Sequence, residues 1–319
     1  MKKKIVAVLM TAALSVGLLA GCGAQKEKVY NVGICQLVQH VALDAATQGF
    51  KDALTEKVGA DKVKFDEQNA QGDSATCSTI VNSFVSANVD LIMANATAPL
   101  QAAAAGTTTI PVLGTSVTDY ATALDIDNWN GLTGRNISGT SDLAPLAEQA
   151  NMLVELFPDA KNIGIIYCSA EANSQYQADV IKAELEAKGL TVNFFSFVDT
   201  NDVATVTQNA ADNCDVLYVP TDNAAASNTE IIDSICRPAG VPIIAGEEGI
   251  CSGCGVATLS ISYYDLGYAT GLMAAQILLE GKKVEEMPVQ YAPNVTKKYN
   301  KEICDALNIT VPADYVVIE

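Results

Sequence analysis

The side chains able to do chemistry in this chain are small, polar or acidic, and they gather where apolar runs end. Asp215-Val216-Leu217-Tyr218-Val219-Pro220-Thr221-Asp222-Asn223 opens on an acid, passes through a short apolar run and closes on three polar groups. Asp90-Leu91-Ile92-Met93-Ala94-Asn95-Ala96-Thr97 has the same design 125 residues earlier. Similar polar ends occur at Gln36, Gln39 and His40, at Thr115 and Ser116, at Ser141 and Asp142, at Glu171, Asn173 and Ser174, and at Glu247 and Glu248. An apolar run that stops on such residues reads as a buried parallel strand, whose carboxyl end is where open α/β sheets bind ligands.

The charge of these ends selects a ligand chemistry. Asp142, Glu171, Asp222, Glu247 and Glu248 supply carboxylates, whereas arginine occurs only at Arg135 and Arg237. Such a crevice suits an ammonium group, held by charge-assisted hydrogen bonds. A ligand carboxylate can be held without arginine, by helix N-terminal amides and by hydroxyls. Together these features describe a zwitterion, with Asp222 or a neighbouring acid on the ammonium. Thr97, Ser116 and Ser141 are then expected near the carboxylate, with Asn95, Asn173 and Asn223 fixing orientation. Sugars fit less well, because stacking sites draw on aromatics and Trp129 is the only tryptophan.

Enzymatic signatures are absent. The chain has no phosphate-binding Gly-x-x-x-x-Gly-Lys-[Ser/Thr] loop, no Gly-x-Gly-x-x-Gly, no Gly-x-Ser-x-Gly elbow and no His-Glu-x-x-His. Its single histidine, His40, stands without a supporting catalytic motif. Cys251-Ser252-Gly253-Cys254 has no second Cys-x-x-Cys, so a metal site is not expected there, and a local disulfide stays open. Cys35, Cys168 and Cys214 lie in or beside apolar runs, where a reduced thiol behaves as a small hydrophobe. No cofactor is called for.

The elements that must position these groups follow a repeated rhythm. Strands at Tyr30–Cys35, Val63–Phe65, Asp90–Ala94 and Ile110–Gly114 alternate with helices near residues 42–57, 74–85 and 100–105. A second copy runs from Lys161: strands at Asn162–Tyr167, Val192–Phe197, Asp215–Val219 and Val241–Ala245, with helices from about Ser174, from Asp202 to Ala211 and from Ala225 to Cys236. Strands alternating with helices of this length make βαβ units around a parallel sheet, so the chain is α/β with two similar doubly wound lobes and a cleft between them. Residues 119–150 break the rhythm and are expected to cross between lobes. A helix from Asp265 to Leu279 and a tail around Tyr299–Leu307 complete them.

At 319 residues, two domains are a fair expectation. A net charge of −18 repels nucleic acid and anionic lipid headgroups. The amino terminus is a leader: Met1-Lys2-Lys3-Lys4 is basic, Ile5 to Leu19 is apolar, and Leu19-Ala20-Gly21-Cys22 looks like a bacterial lipoprotein box. On that likeness the chain is cleaved before Cys22, which carries lipid. Gly23 to Lys28 is a polar tether.

An ordered set of segments resembles a known family. They are Gly33 to His40 with Ala42-Leu43-Asp44-Ala45, Asn69 to Asp73, Asp90 to Gln101, Gly139-Thr140-Ser141-Asp142, Tyr167 to Ser174, Val219 to Asn223, and Tyr263-Tyr264-Asp265-Leu266-Gly267. The set is similar to the type I (cluster B) substrate-binding lipoproteins of bacterial ABC importers, in the branch that includes tryptophan- and tyrosine-binding proteins. The resemblance implies a periplasmic-binding-protein type I fold with a hinge, capture of an amino acid by lobe closure, and a monomer held to the outer face of the membrane by lipid alone. It also implies an ABC permease and its ATPase as partners. Sensing or adhesion on the same fold, or a nucleoside or sugar ligand, are its alternatives. The family's Ala-Thr-Pro is here Ala96-Thr97-Ala98-Pro99, Cys168 stands where asparagine is common, and Val41 replaces a frequent proline. The expected division is leader 1–22, tether 23–28, a first lobe of 29–140 plus 265–288, and a second of 141–264 plus 289–319.

Overall fold

The computed structural model describes residues 28–292 and 294–318. The leader and Cys22 lie outside them. In the first lobe, β1 (Tyr30–Gln36), β2 (Val63–Asn69), β3 (Leu91–Asn95), β4 (Val112–Val117) and β5 (Ile137–Ser141) alternate with α1 (Val41–Val58), α2 (Ser74–Ala87), α3 (Thr97–Gly106) and α4 (Tyr120–Leu124). The second lobe holds α5 (Leu146–Leu156), β6 (Asn162–Cys168), α6 (Ala172–Ala187), β7 (Thr191–Phe197), α7 (Val203–Asn213) and β8 (Val216–Val219). It continues with α8 (Asn223–Ala226), α9 (Thr229–Ala239), β9 (Ile243–Ala245), α10 (Glu248–Cys254) and β10 (Ala257–Ser260). Then follow α11 (Tyr263–Glu280), β11 (Gln290–Tyr291), β12 (Thr296–Tyr299), α12 (Lys301–Leu307) and β13 (Val316–Val317).

The two sheets carry the same strand order. The first is β2-β1-β3-β4-β5-β11 and the second β7-β6-β8-β9-β10-β12-β13, so the five leading strands of each lobe correspond one to one. Those five are parallel in both sheets; β12 pairs antiparallel with β10, and β13 runs parallel to β12. In this order the chain reverses direction beside β1 and beside β6, which opens a crevice at the carboxyl ends of β1 and β3 and of β6 and β8. The echoed acids are part of the duplication. Asp90 accepts the Asn31 amide at 2.8 Å, and Asp215 accepts those of Lys161 and Asn162, each at 2.8 Å. Each acid therefore pins the start of the neighbouring strand, at the end of the sheet away from the cleft.

The chain crosses between lobes three times. It leaves the first sheet after Ser141 in β5, returns after Ser260 in β10, and leaves again after Tyr291 in β11. Ser141, Tyr263–Tyr264 and Gln290–Tyr291 thus lie with the first lobe, where the sequence reading drew boundaries at 140, 264 and 288. Helix α11 is held hard against α1. A Cβ at Gly49 would come within 2.1 Å of the Tyr264 carbonyl oxygen, and one at Gly267 within 1.9 Å of that of Ala46. Only glycine permits backbones this close, so the start of α11 is fixed to the first lobe.

Elsewhere the expected elements form with shifted ends. The helix expected from Ala225 to Cys236 is two pieces, α8 and α9, because Asn228 leaves the helical conformation with φ −130° and ψ 23°. Helix α10 and strand β10 were not anticipated; they are short and carry no extended hydrophobic period. Each lobe buries two apolar clusters, one on either face of its sheet, as doubly wound lobes require. All eight cysteines from Cys35 to Cys304 are buried and unbonded, and Cys251 and Cys254 lie on α10 as free thiols.

Candidate ligand-binding site

Strand ends from both lobes converge on one small cavity. His40, Leu43, Ser116, Thr118 and Asp142 line it from one side, and Asn173, Thr221, Asp222, Asn223, Ala226 and Glu247 from the other, with Tyr263 at the hinge. No lysine or arginine is among them. One hydrogen bond spans the cleft directly: His40 Nε2 lies 3.2 Å from Asn223 Oδ1, across 183 residues of sequence. Burial lowers the pKa of His40, so this contact is made by the neutral imidazole.

The acids differ in what already holds them. Asp222 Oδ1 accepts the Ala225 amide at 2.8 Å, capping α8, and Oδ2 accepts the Cys168 amide at 2.6 Å. Glu247 caps α10 by accepting the amides of Gly249 and Ile250. Glu171 accepts the amides of Asn223 at 3.1 Å and Ala224 at 2.9 Å, and the Asn223 side chain at 2.6 Å. These three are committed to backbone groups of their own lobe. Each Asp222 oxygen thus already accepts one backbone amide, so of the two acids expected near the ammonium it is the more committed and a neighbouring acid the freer.

Asp142 is the exception. It follows β5 directly, is 3% exposed, and its Oδ2 accepts the Tyr263 hydroxyl at 2.9 Å. Its Oδ1 is buried with no hydrogen-bond partner. Ser116 Oγ is buried and unpartnered as well, on a residue whose φ of +54° marks a strained, left-handed backbone at the end of β4. Unsatisfied buried polar atoms cost free energy and are uncommon in folded proteins. Two on one cavity wall describe a place for a hydrogen-bond donor.

Burial is the largest influence on these carboxyls. It pushes Asp142 up against the opposing pull of the Tyr263 hydroxyl, and it pushes Asp222 and Glu247 each up to about 7. A cation entering the cavity reverses this for Asp142 by favouring its charged form.

Several expected site residues support the wall instead of facing the cavity. Gln36 donates to Asp44 at 2.6 Å and accepts from Thr47 at 2.6 Å. Asn95 donates to the Leu43 carbonyl at 2.8 Å and to Thr47 at 3.0 Å, bracing the first turns of α1. Thr115 pairs with Thr140 at 3.1 Å, and Ser141 donates to the Thr118 carbonyl at 2.8 Å. Thr97 opens α3, and Ser174 accepts from Asn173 at 3.2 Å; neither lines the cavity, and nor does Glu171. His40, Ser116, Asp142, Asn173, Thr221, Asp222, Asn223 and Glu247 do line it. Leu43, Thr118, Ala226 and Tyr263 were missed as site residues. Thr118 continues the polar run Thr115-Ser116, and Tyr263 opens one of the segments that carry the resemblance, so both had a signal. Leu43 and Ala226 had none beyond ordinary core character.

The match to known proteins spans almost all of the described chain: residues 31–318 fit the family model of ABC transporter substrate binding proteins. The chain belongs to this family. Its members are extracytoplasmic solute-binding proteins, which is not an enzyme class. A tyrosine-binding protein of Clostridioides difficile (strain R20291) is 35% identical over 322 residues, covering 96% of this chain and 93% of that protein. A domain from a pneumococcal streptococcus, solved in complex with L-Trp, superposes with a TM-score of 0.86 at 32% identity, over 91% of this chain and 100% of that one. A ligand-free, open substrate-binding protein with adhesive properties from Clostridium difficile gives 0.69 at 36% identity, over 91% and 99%. A leucine-binding protein of Thermotoga maritima, 14% identical with a TM-score of 0.62 over 88% and 87%, shares the fold, which is that of type I periplasmic binding proteins. Among the described residues, no helix is long and apolar enough to cross a membrane.

Proposed function

We propose that this chain is the lipid-anchored receptor of an ABC importer and that it captures an aromatic amino acid of the tyrosine or tryptophan kind by closure of its two lobes. The observation that carries the reading is the pair of unpartnered buried atoms, Asp142 Oδ1 and Ser116 Oγ, in a cavity with no cationic side chain. A ligand ammonium satisfies both and neutralises the cavity carboxylate that keeps an unpartnered oxygen. Relatives that bind tyrosine, or are solved with L-Trp, support the aromatic side chain.

Closure is supported by the His40–Asn223 contact and by the better superposition on the L-Trp complex than on the open, ligand-free relative. A ligand bridging the lobes shifts the population toward the closed form by the difference in its affinity for the two forms. That closed form is then presented to the permease by a monomer tethered through Cys22. Calorimetric titration of the purified chain against the twenty amino acids tests the ligand. L-tyrosine or L-tryptophan should bind saturably and be recovered unchanged; no binding across the set, with a sugar or nucleoside binding instead, overturns the reading. Lipid labelling of the chain in bacteria should be lost in Cys22→Ser, and persistent labelling rules out that anchor.

A further inference from the structure

We infer that Tyr263 is a positioning residue: it turns Asp142 toward the cavity and ties that acid to the hinge. The inference rests on the amino-acid reading above. Asp142 begins the first crossing between lobes and Tyr263 stands at the second, 121 residues later, with 2.9 Å between the hydroxyl and Oδ2. A carboxylate held by one oxygen has its other oxygen's direction set, and here that other oxygen is the unpartnered Oδ1. Tyr263 cannot drift with its partner, because the start of α11 is locked to α1 through Gly49 and Gly267.

The same ring stands beside the other lobe. Tyr263 and Thr221, the latter just beyond β8, line the same cavity. The hydroxyl that holds Asp142 therefore sits where the two lobes meet, so the group that recognises charge is tied to the hinge. A buried tyrosine hydroxyl always needs a partner, so the bond alone does not separate positioning from packing. Tyr218 supplies the control. It is fully buried and donates to Gln149 Oε1 at 2.5 Å, and it does not line the cavity.

The test is a titration of the chain with L-tyrosine, or with L-tryptophan where that binds more tightly, from pH 5 to 8. Tyr263→Phe, Tyr218→Phe, Asp142→Asn and the double variant Asp142→Asn/Tyr263→Phe are compared with the unaltered protein. Tyr263→Phe is expected to weaken binding about tenfold or more, the scale of one hydrogen bond to a charged group. It should also move the acid limb of the affinity profile to higher pH, because Asp142 loses a donor that favours its charged form. In the Asp142→Asn background, Tyr263→Phe should cause little further loss. Tyr218→Phe should lower the unfolding temperature without moving that limb. An unmoved limb in Tyr263→Phe, or losses that add fully in the double variant, overturns the inference. Unimpaired binding by Asp142→Asn instead overturns the amino-acid reading itself.

Discussion

Asp142 and Asp222 are both buried aspartates on opposite walls of one cavity, yet they do different work. Asp222 is 1% exposed and Asp142 3%, so burial does not distinguish them. Occupancy does. Asp222 spends one oxygen on the Ala225 amide and the other on that of Cys168, holding the loop after β6 to the start of α8. Asp142 spends one oxygen on Tyr263 and leaves the other facing the cavity. An acid at a strand end is thus not in itself a ligand group; what remains of its hydrogen-bonding capacity decides.

The sharpest way to break this contrast is to replace each acid by its amide. Asp142→Asn should weaken L-tyrosine or L-tryptophan binding about a hundredfold, in the range seen when one member of a buried charge pair is removed. Its unfolding temperature should not fall, since a desolvated carboxyl is lost. Asp222→Asn should do the opposite. It sets an amide NH₂ against a backbone donor and should lower the unfolding temperature by several degrees, while affinity changes less than about fivefold. If Asp222→Asn proves the weaker binder of the two, the assignment of roles is reversed.

His40→Ala removes the direct bond between lobes and should weaken binding between about twofold and tenfold, the net worth of one neutral hydrogen bond. Because burial lowers His40 below its ordinary pKa, closure disfavours its protonation. Its contribution to the closed form is therefore present at neutral pH and lost as pH falls below the ordinary imidazole value of 6.5. The unaltered chain should lose more affinity between pH 7.5 and 6 than His40→Ala; equal losses would show that His40 plays no part in closure.

The smallest effect concerns Glu247. Its pKa is raised from 4.5 to about 7, so the folded chain binds more protons than the unfolded one within that window. Stability from this group is accordingly greatest on the acid side and declines as pH rises from about 4.5 to 7. Glu247→Gln should flatten that part of the ligand-free profile of unfolding temperature against pH. An unchanged slope would place the carboxyl in a wetter setting.

Much of this was legible beforehand because the signals are local. Strands β1, β3, β6 and β8 announce themselves as short apolar runs, and Asp73 caps α2 where a helix start was expected. Which strand-end residues face the cavity was only half legible. Asn95 and Asp222 occupy corresponding ends of β3 and β8, yet Asn95 turns back to the Leu43 carbonyl and Thr47, while Asp222 turns to Cys168 and Ala225. Neither choice is written in the segment itself, since each partner comes from another element.

The α/β duplication, the strand ends that build the cleft and the acidic character of its walls can be read along the chain, because periodicity, turn residues and composition act over a few residues at a time. Which acid keeps an unpartnered oxygen is settled only by packing. That depends on Tyr263 reaching Asp142 across 121 residues and on backbone amides reaching Asp222, Glu247 and Glu171 first. A buried carboxylate takes whatever donors the packing brings within about 3 Å. Those donors come from elements that the local sequence cannot name.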